Sequence, residues 1–322
     1  MHLDGLSSPK GLAVGAEGDV VIAQGAFGPP GPVLAFDWKT GIADPLTDPA
    51  NITDVAISPV DGTGWALVGT DLFHRLADGT LVLVLDIAAY QAGDPDPFDL
   101  EGIPDESNPY GLTVLSNGDV LIADAAGNDI IRVTPDGTAS TVARFETELV
   151  ATDHLTGPPP PGEEPLPPVI PSEAVPTTVV EGPDGYIYVG ELQGFPFRPG
   201  TSEIWRIAPD ATDATCSPTE SNADCEVYAT GFTAIQDIAF NEHTGKLYVY
   251  ELAAGGVLAF EAGFETGEFP PAVLLEVSKN HRRELAVGQL SQPGGIVVTR
   301  SGWVFVTDHV FQELEGRLLR VR

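Results

Sequence analysis

Apolar residues in this 322-residue chain come in short runs set between polar turns, and the runs repeat. The clearest copy is SNPYGLTVLSNGDVLIADAAGNDIIRV, from Ser107 to Val133. Residues 111–115 and 120–123 are apolar runs joined by Ser116-Asn117-Gly118-Asp119, and Asn-Gly tolerates the positive φ of a tight hairpin. Residues 129–133 read as a third strand after the polar loop 124–128. Residues 139–145 read as a fourth, beyond the turn Pro135-Asp136-Gly137. Four such strands make one antiparallel meander, which cannot bury both faces alone.

The phrase recurs as KGLAVGAEGDVVIAQ at Lys10, TDVAISPVDGTGWALVG at Thr53, TTVVEGPDGYIYVGE at Thr177, QDIAFNEHTGKLYVYE at Gln236 and GGIVVTRSGWVFVTD at Gly294. The second positions of the six copies are Gly11, Asp54, Gly111, Thr178, Asp237 and Gly295. The spacing predicts an all-β fold: a six-bladed β-propeller of four-stranded antiparallel blades. Blades are expected at 7–48, 51–90, 107–146, 175–230, 233–287 and 289–322, in a single domain spanning 1–322. The last copy has only three strands, and HLDGL at the N-terminus resembles the YATGF and AVGQL that precede copies five and six. Residues 1–6 are therefore expected to complete the last blade and close the ring, which removes the sheet edge. Helical periodicity is found at 86–92 and 276–287.

Three insertions interrupt the pattern. Residues 25–32 lie within blade one. Residues 91–105 follow blade two and hold Asp94, Asp96, Asp99 and Glu101, oxygen donors of the kind calcium takes. Phe98 and Leu100 break the EF-hand spacing and Asp-Pro pairs form turns, so this stretch reads as an ordinary loop. Residues 157–171, GPPPPGEEPLPPVIP, are polyproline-like and barred from a sheet interior, hence a strap over one face or an excursion.

Charge narrows the partners. With 15 basic and 47 acidic residues the formal charge is −32. Nucleic acid is a poor partner and an anionic membrane is disfavoured, because binding either rests on positive charge. Lysine occurs only at 10, 39, 246 and 279, which suits a salty or extracytoplasmic setting, or plain solubility. Cys216 and Cys225 flank a polar loop and read as a local disulfide, implying an oxidising compartment. The chain is expected to be a secreted, monomeric protein whose leader has been removed. No apolar run is long enough to span a bilayer.

In a propeller the innermost strands start at the mouth of the axial channel, and the second strands end on that same face. Strand starts supply Lys10, Thr53, Tyr110, Thr177, Gln236 and Gly294, with Asp54 and Asp237 one step on. Second-strand ends supply Gln24, Gly69, Asp124, Glu191, Glu251 and Asp308. Four of those last six are carboxylates, and a strand end is a costly place for one unless water, a cation or a donor meets it. One reading is a carboxylate-lined mouth for calcium, a cationic ligand or a polyhydroxy ligand. The other is that these groups accept backbone N–H bonds and tie the blades together. The loop after Glu191 carries Phe195, Phe197 and Arg198 toward the mouth. The expected ligand-binding set is Lys10, Tyr110, Asp124, Glu191, Phe195, Phe197, Gln236, Asp237, Glu251 and Asp308, with Lys10, Arg198 or calcium as countercharge. No Gly-x-Ser-x-Gly elbow occurs. No two of the six histidines stand at metal-ligand spacing, and only His309, beside Asp308, suits proton transfer.

SNPYGLTV with IADAAGNDIIRVTPDGTASTVA, VPTTVVEGPDGYIYVGELQGFPFRPGTSEIWRI and YATGFTAIQDIAF resemble the ScyD/ScyE family. That family consists of extracytoplasmic NHL-like propellers named from scytonemin-pigment gene clusters. The likeness covers nearly the whole chain, and VGELQGFPF is its most specific part. It implies fold and compartment more than chemistry. The Asp/Pro insertion and the cysteine loop depart from it. The layout is more distantly similar to gluconolactonase/paraoxonase-type propellers, which hold an axial calcium on Glu, Asn and Asp near inner-strand starts. Here those starts lack acidic and amide ligands apart from Gln236. Streptogramin lyase-type propellers use a histidine and magnesium, and no inner-strand histidine occurs. Two functions stay open: a binding or scaffold module for a small molecule or protein, and a metal-dependent hydrolase or lyase.

Overall fold

The computed structural model describes residues 2–156, 164–278 and 281–322. Their strands form six four-stranded antiparallel blades in a propeller ring. The innermost strands are Leu12–Val14, Ile52–Ile57, Pro109–Val114, Pro176–Glu181, Ile235–Asn241 and Ile296–Val298, each opening one copy of the repeated phrase. The second strand shows why the phrase is so apolar. Every residue of Val120–Asp124 is buried, because the strand packs on both neighbouring blades. Val120 and Ile122 join the core shared with blade two, while Leu121 and Ala123 join the core shared with blade four. The period of two distributes one strand between two interfaces.

The ring closes as the sequence suggests. His2–Leu6 pairs antiparallel with Gly316–Arg320 at the outer edge of the last blade. Leu6 is buried with Phe36, Phe305 and Leu318 between blades six and one. Deleting residues 1–6 is expected to lower stability by roughly several kcal/mol, from lost burial and an exposed edge. An unchanged melting temperature without added aggregation would refute the closing strand.

Two features of the connections were not expected. Ala214–Cys216 does not stay with blade four but pairs in parallel with Ala139–Phe145, giving blade three a fifth strand. Cys225 begins Cys225–Phe232, the outer strand of blade four. The Cys216–Cys225 disulfide, with Cα atoms 5.3 Å apart, therefore staples two blades together. Cys216→Ser is expected to cost about 2–3 kcal/mol by the loop-closure relation for so short a loop, read as a lowered urea midpoint. Residues 276–287, expected to be helical, instead form Val273–Ser278 and His281–Leu285, the outer strands of blade five. Leu274 and Glu276 are buried in alternation there, the period of a strand. The helix of blade five lies earlier. Helix α1, Ile87–Gln91, is capped by Asp86 where the sequence places it. Helix α2, Gly256–Thr266, buries Val257, Phe260 and Gly263 and stops at Gly267 in the left-handed region. Its glycines hid it.

Strand direction alternates, so links from second to third strands and from one blade to the next emerge on a single face. Most of the long insertions rise there: 25–32, the α1 connection, the 146–175 segment, 192–201, the α2 segment and 309–315; the 208–224 segment, between the third and fourth strands of blade four, emerges on the opposite face. Within 146–175, Glu148–Ala151 pairs with Val169–Ser172 in a two-stranded ribbon, away from any sheet interior, as its prolines require. Residues 157–163 of the Pro-rich stretch lie outside the described residues. The first-to-second-strand links on the opposite face are tight turns.

Candidate functional site at the propeller axis

Three blades reach across the axis to one another. Lys10, at the start of blade one, donates from Nζ to the carbonyl of Tyr110 at 2.6 Å and stands 3.7 Å from that ring's centroid. Tyr110, at the start of blade three, donates from its hydroxyl to Gln236 Oε1 of blade five at 2.9 Å. Lys10 and Gln236 are each 5% exposed. The sequence placed these three at strand starts, and the structure brings them together as a plug.

Directly beneath are Asp54 and Asp237, which tie neighbouring blades. Asp54 Oδ2 accepts from Leu112 N of blade three at 2.7 Å, and its Oδ1 from Val55 N at 2.8 Å. Asp237 Oδ2 accepts from Ile296 N of blade six at 2.8 Å, and its Oδ1 from Thr178 Oγ1 at 2.6 Å. These reaches explain the glycines in the repeated phrase. A Cβ on Gly11 would lie 2.1 Å from Asp54 Oδ1, and one on Gly295 would lie 2.5 Å from the Lys10 carbonyl. In the column Gly11, Asp54, Gly111, Thr178, Asp237, Gly295, the two aspartates and the threonine carry the side chains that reach, and the three glycines leave room for a neighbouring blade's side chain or backbone.

The plug concentrates charge where burial disfavours it, at the inner end of an axial channel. Desolvation raises the Asp54 carboxyl to about 7, against the pull of the Lys10 ammonium and with a push from Asp237. Burial likewise raises Asp237 and Tyr110. It lowers Lys10, whose charge the two aspartates support. Two carboxylates face one ammonium, and a proton on Asp54 makes the cluster neutral.

The second-strand ends are held differently. Asp124 accepts from Ser107 Oγ, from the backbone of Asn108, Ala126 and Gly127, and from Gln91 of α1. Glu191 accepts from Glu203 N at 3.0 Å and Trp205 Nε1 at 2.7 Å. Glu251 accepts from Thr233 N at 2.8 Å. Asp308 is gripped by both arms of Arg317, and His309 Nε2 stands 3.3 Å from the same guanidinium. Gln24 does the same work for blade one, accepting from Ser7 N at 2.8 Å. In three blades the side chain ending strand two takes an N–H from the segment entering strand one. Each of these bonds lies within its own blade or the segment leading into it. An amide in the same column was the signal: Gln24 can bond where a carboxylate does but brings no charge.

Phe195 and Phe197 pack edge to face, 5.9 Å between centroids, on the insertion-bearing face. Phe197 packs against the cluster holding Val257 and Phe260, and Phe195 is 47% exposed. Arg198 does not meet the axis; it bonds Asp153 and the Ala151 carbonyl. The aromatics nearest the axis are others. Phe27 tilts over Tyr110 with centroids 6.5 Å apart and stacks on Phe311 at 4.6 Å. Phe311 continues to Phe260 and Phe264 of α2. Phe27 and Phe311 sit in second-to-third-strand loops, so their place on the mouth was legible from the repeat alone.

The acidic insertion after blade two folds over blade four. One oxygen each of Asp99, Glu101 and Glu173 lies within 4.8 Å of the others, an all-oxygen set of the kind hard cations take. Burial raises Glu173 to about 7, with Glu101 adding to the push. Asp94 instead pairs with Arg144, and Asp96 accepts from Asn128 Nδ2 at 2.9 Å.

No family model and no curated protein matches the chain. Solved structures do. Virginiamycin B lyase from Staphylococcus aureus matches 99% of this chain and 97% of its own at a TM-score of 0.53 and 17% identity. PQQ-bound aldose sugar dehydrogenase from Streptomyces coelicolor matches 99% and 95% at 0.58 and 16%. A gluconolactonase from Xanthomonas campestris matches 100% and 86% at 0.50 and 14%. The superposition shows a shared propeller architecture, and at identities of 14–17% it shows that alone.

Proposed function

We propose that this is an extracytoplasmic binding propeller of ScyD/ScyE type. Its insertion-bearing face takes a small ligand that combines an apolar or CH face with hydroxyl or cationic groups. The observation that carries this is the Lys10 ammonium on the axis. The chain supplies there, from its own side chain, the positive charge that a metal would bring to Asp54 and Asp237. Above the plug, Phe27, Phe311 and Phe264 offer ring faces, and aromatic faces with polar neighbours suit sugar-like or cationic ligands. The structural neighbours named as sugar dehydrogenase and gluconolactonase make a polyhydroxy ligand a reasonable first probe.

The test uses 4-nitrophenyl glucoside as probe with the full chain, followed by calorimetry. Binding is expected in the presence of EDTA and is expected to fall at least about tenfold in Phe27→Ala/Phe264→Ala, both half-exposed positions whose loss leaves the melting temperature nearly unchanged. Turnover of a gluconolactone that EDTA abolishes would instead establish the metal-dependent hydrolase. A calcium-induced melting shift that Glu173→Gln removes would assign the ion to the peripheral carboxylates and leave the axial reading intact.

A further inference from the structure

The plug closes the channel on one side only. On the tight-turn face the six innermost strands enclose an axial cavity of about 880 Å³, within the roughly 300–1,000 Å³ of small-molecule sites. Its inner end is formed by Asp54, Asp237 and Thr178, and its opening by turn residues including Ala16, Pro59, His243 and Arg300. The wall is the free edge of six strands, which presents carbonyl oxygens and N–H groups toward the axis. Partly exposed aliphatic residues such as Val14, Ile57 and Val298 also line it.

We propose that this channel is a second binding site, on the face opposite the insertions, for a slender organic cation whose primary ammonium reaches Asp54 and Asp237. Three observations support that class of ligand. The inner end carries two carboxylates against one ammonium, so one more positive charge balances it. An ammonium has three N–H donors and no acceptor, and it meets carboxylate, threonine hydroxyl and strand carbonyl oxygens there. The aliphatic stretches of the wall suit an alkyl stem. Asp54, which burial raises to about 7, would exchange its proton for the incoming charge. Thr178 lines the same end, and Lys10 and Tyr110 stand behind the two aspartates on the plug side, close enough to feel their charge. A neutral alcohol of the same length lacks the charge that fits.

The experiment compares n-butylammonium with n-butanol by calorimetry on the full chain near pH 6, in two buffers of different ionisation enthalpy. Expected are one-to-one binding of the amine, at least about tenfold tighter than the alcohol, and buffer-dependent heat from proton release. Ala16→Trp, at the opening, is expected to abolish binding without moving the melting temperature of the free protein by more than a few degrees. Phe27→Ala, on the other face, is expected to leave it intact, which separates this site from the mouth. Asp54→Asn alone is a poor test, since Asp54 also holds two backbone N–H groups. The proposal is overturned if the alcohol binds as well as the amine, if neither binds, or if Ala16→Trp binds like the parent. Loss of amine binding in Phe27→Ala, or competition by calcium with the same stoichiometry, would overturn it equally.

Discussion

Replacing Lys10 by methionine is expected to destabilise the protein by about 3–5 kcal/mol, the usual consequence of removing one partner from a buried charge cluster. Methionine keeps much of the stem's volume, so the loss reports charge rather than packing. Lys10 gives up its bond to the Tyr110 carbonyl and its contact with the ring. Asp54 and Asp237 then share a partly buried site from which the neighbouring ammonium has gone, and their carboxyls move still higher. Asp54→Asn in the Lys10→Met background should recover part of the loss, because it removes one of the two like charges while keeping an oxygen for Val55 N. Urea unfolding of the two single variants and the double variant measures the coupling. Strict additivity would mean that Lys10 does not compensate the aspartates. The same variant also tests the metal question. A calcium-induced melting shift that appears only after Lys10 is removed would show the ion entering the place the ammonium had filled.

How much of this was legible in the chain depended on whether a residue's role repeats. The inner-strand starts recur in register six times, so Lys10, Tyr110 and Gln236 could be placed at the axis and meet there. Closure by residues 2–6 followed from a strand missing at the other end. Roles set by non-repeating contacts were harder to see. Nothing in ATC at 214–216 shows that it pairs with the blade before it. Nothing near Glu191 in sequence shows that Trp205 Nε1 will satisfy it. Of the four strand-end carboxylates, Asp124 and Glu251 take an N–H from the segment entering strand one, while Glu191 and Asp308 find other donors, and a common register alone does not distinguish such bonds from a binding ring. Glu173 was missed beside Asp99 and Glu101 because it comes from a different insertion more than seventy residues away.

Thermal stability is expected to be greatest near about pH 4, to fall by several kcal/mol between about pH 4 and pH 7, and to level off above that. Burial raises Asp54, Glu203 and Glu251 each to about 7. Glu191, Asp129 and Asp237 are raised by the same cause. A carboxyl whose folded pKa lies above its unfolded value contributes fully below the unfolded value, and that contribution is lost as pH rises through the folded one. For Asp54 the rise from 3.8 to about 7 corresponds to on the order of 4 kcal/mol. The opposite class, exemplified by Asp184 beside Arg206, weakens the fold only as pH drops below the ordinary carboxylate range. That sets the acid limit of the window. A surface carrying a net charge of −32 also repels itself more as pH rises, so the measurement needs a control. Melting curves at low salt and at about 1 M salt provide it, because salt screens exposed charges far more than buried ones. A fall that high salt abolishes would belong to the surface. A fall that persists would belong to the buried carboxyls. Among the described residues Glu203 Oε2 is buried without a donor, so Glu203→Gln should flatten the high-salt curve. A variant whose slope matches the parent's would show that Glu203 is ionised in the folded protein across the whole range.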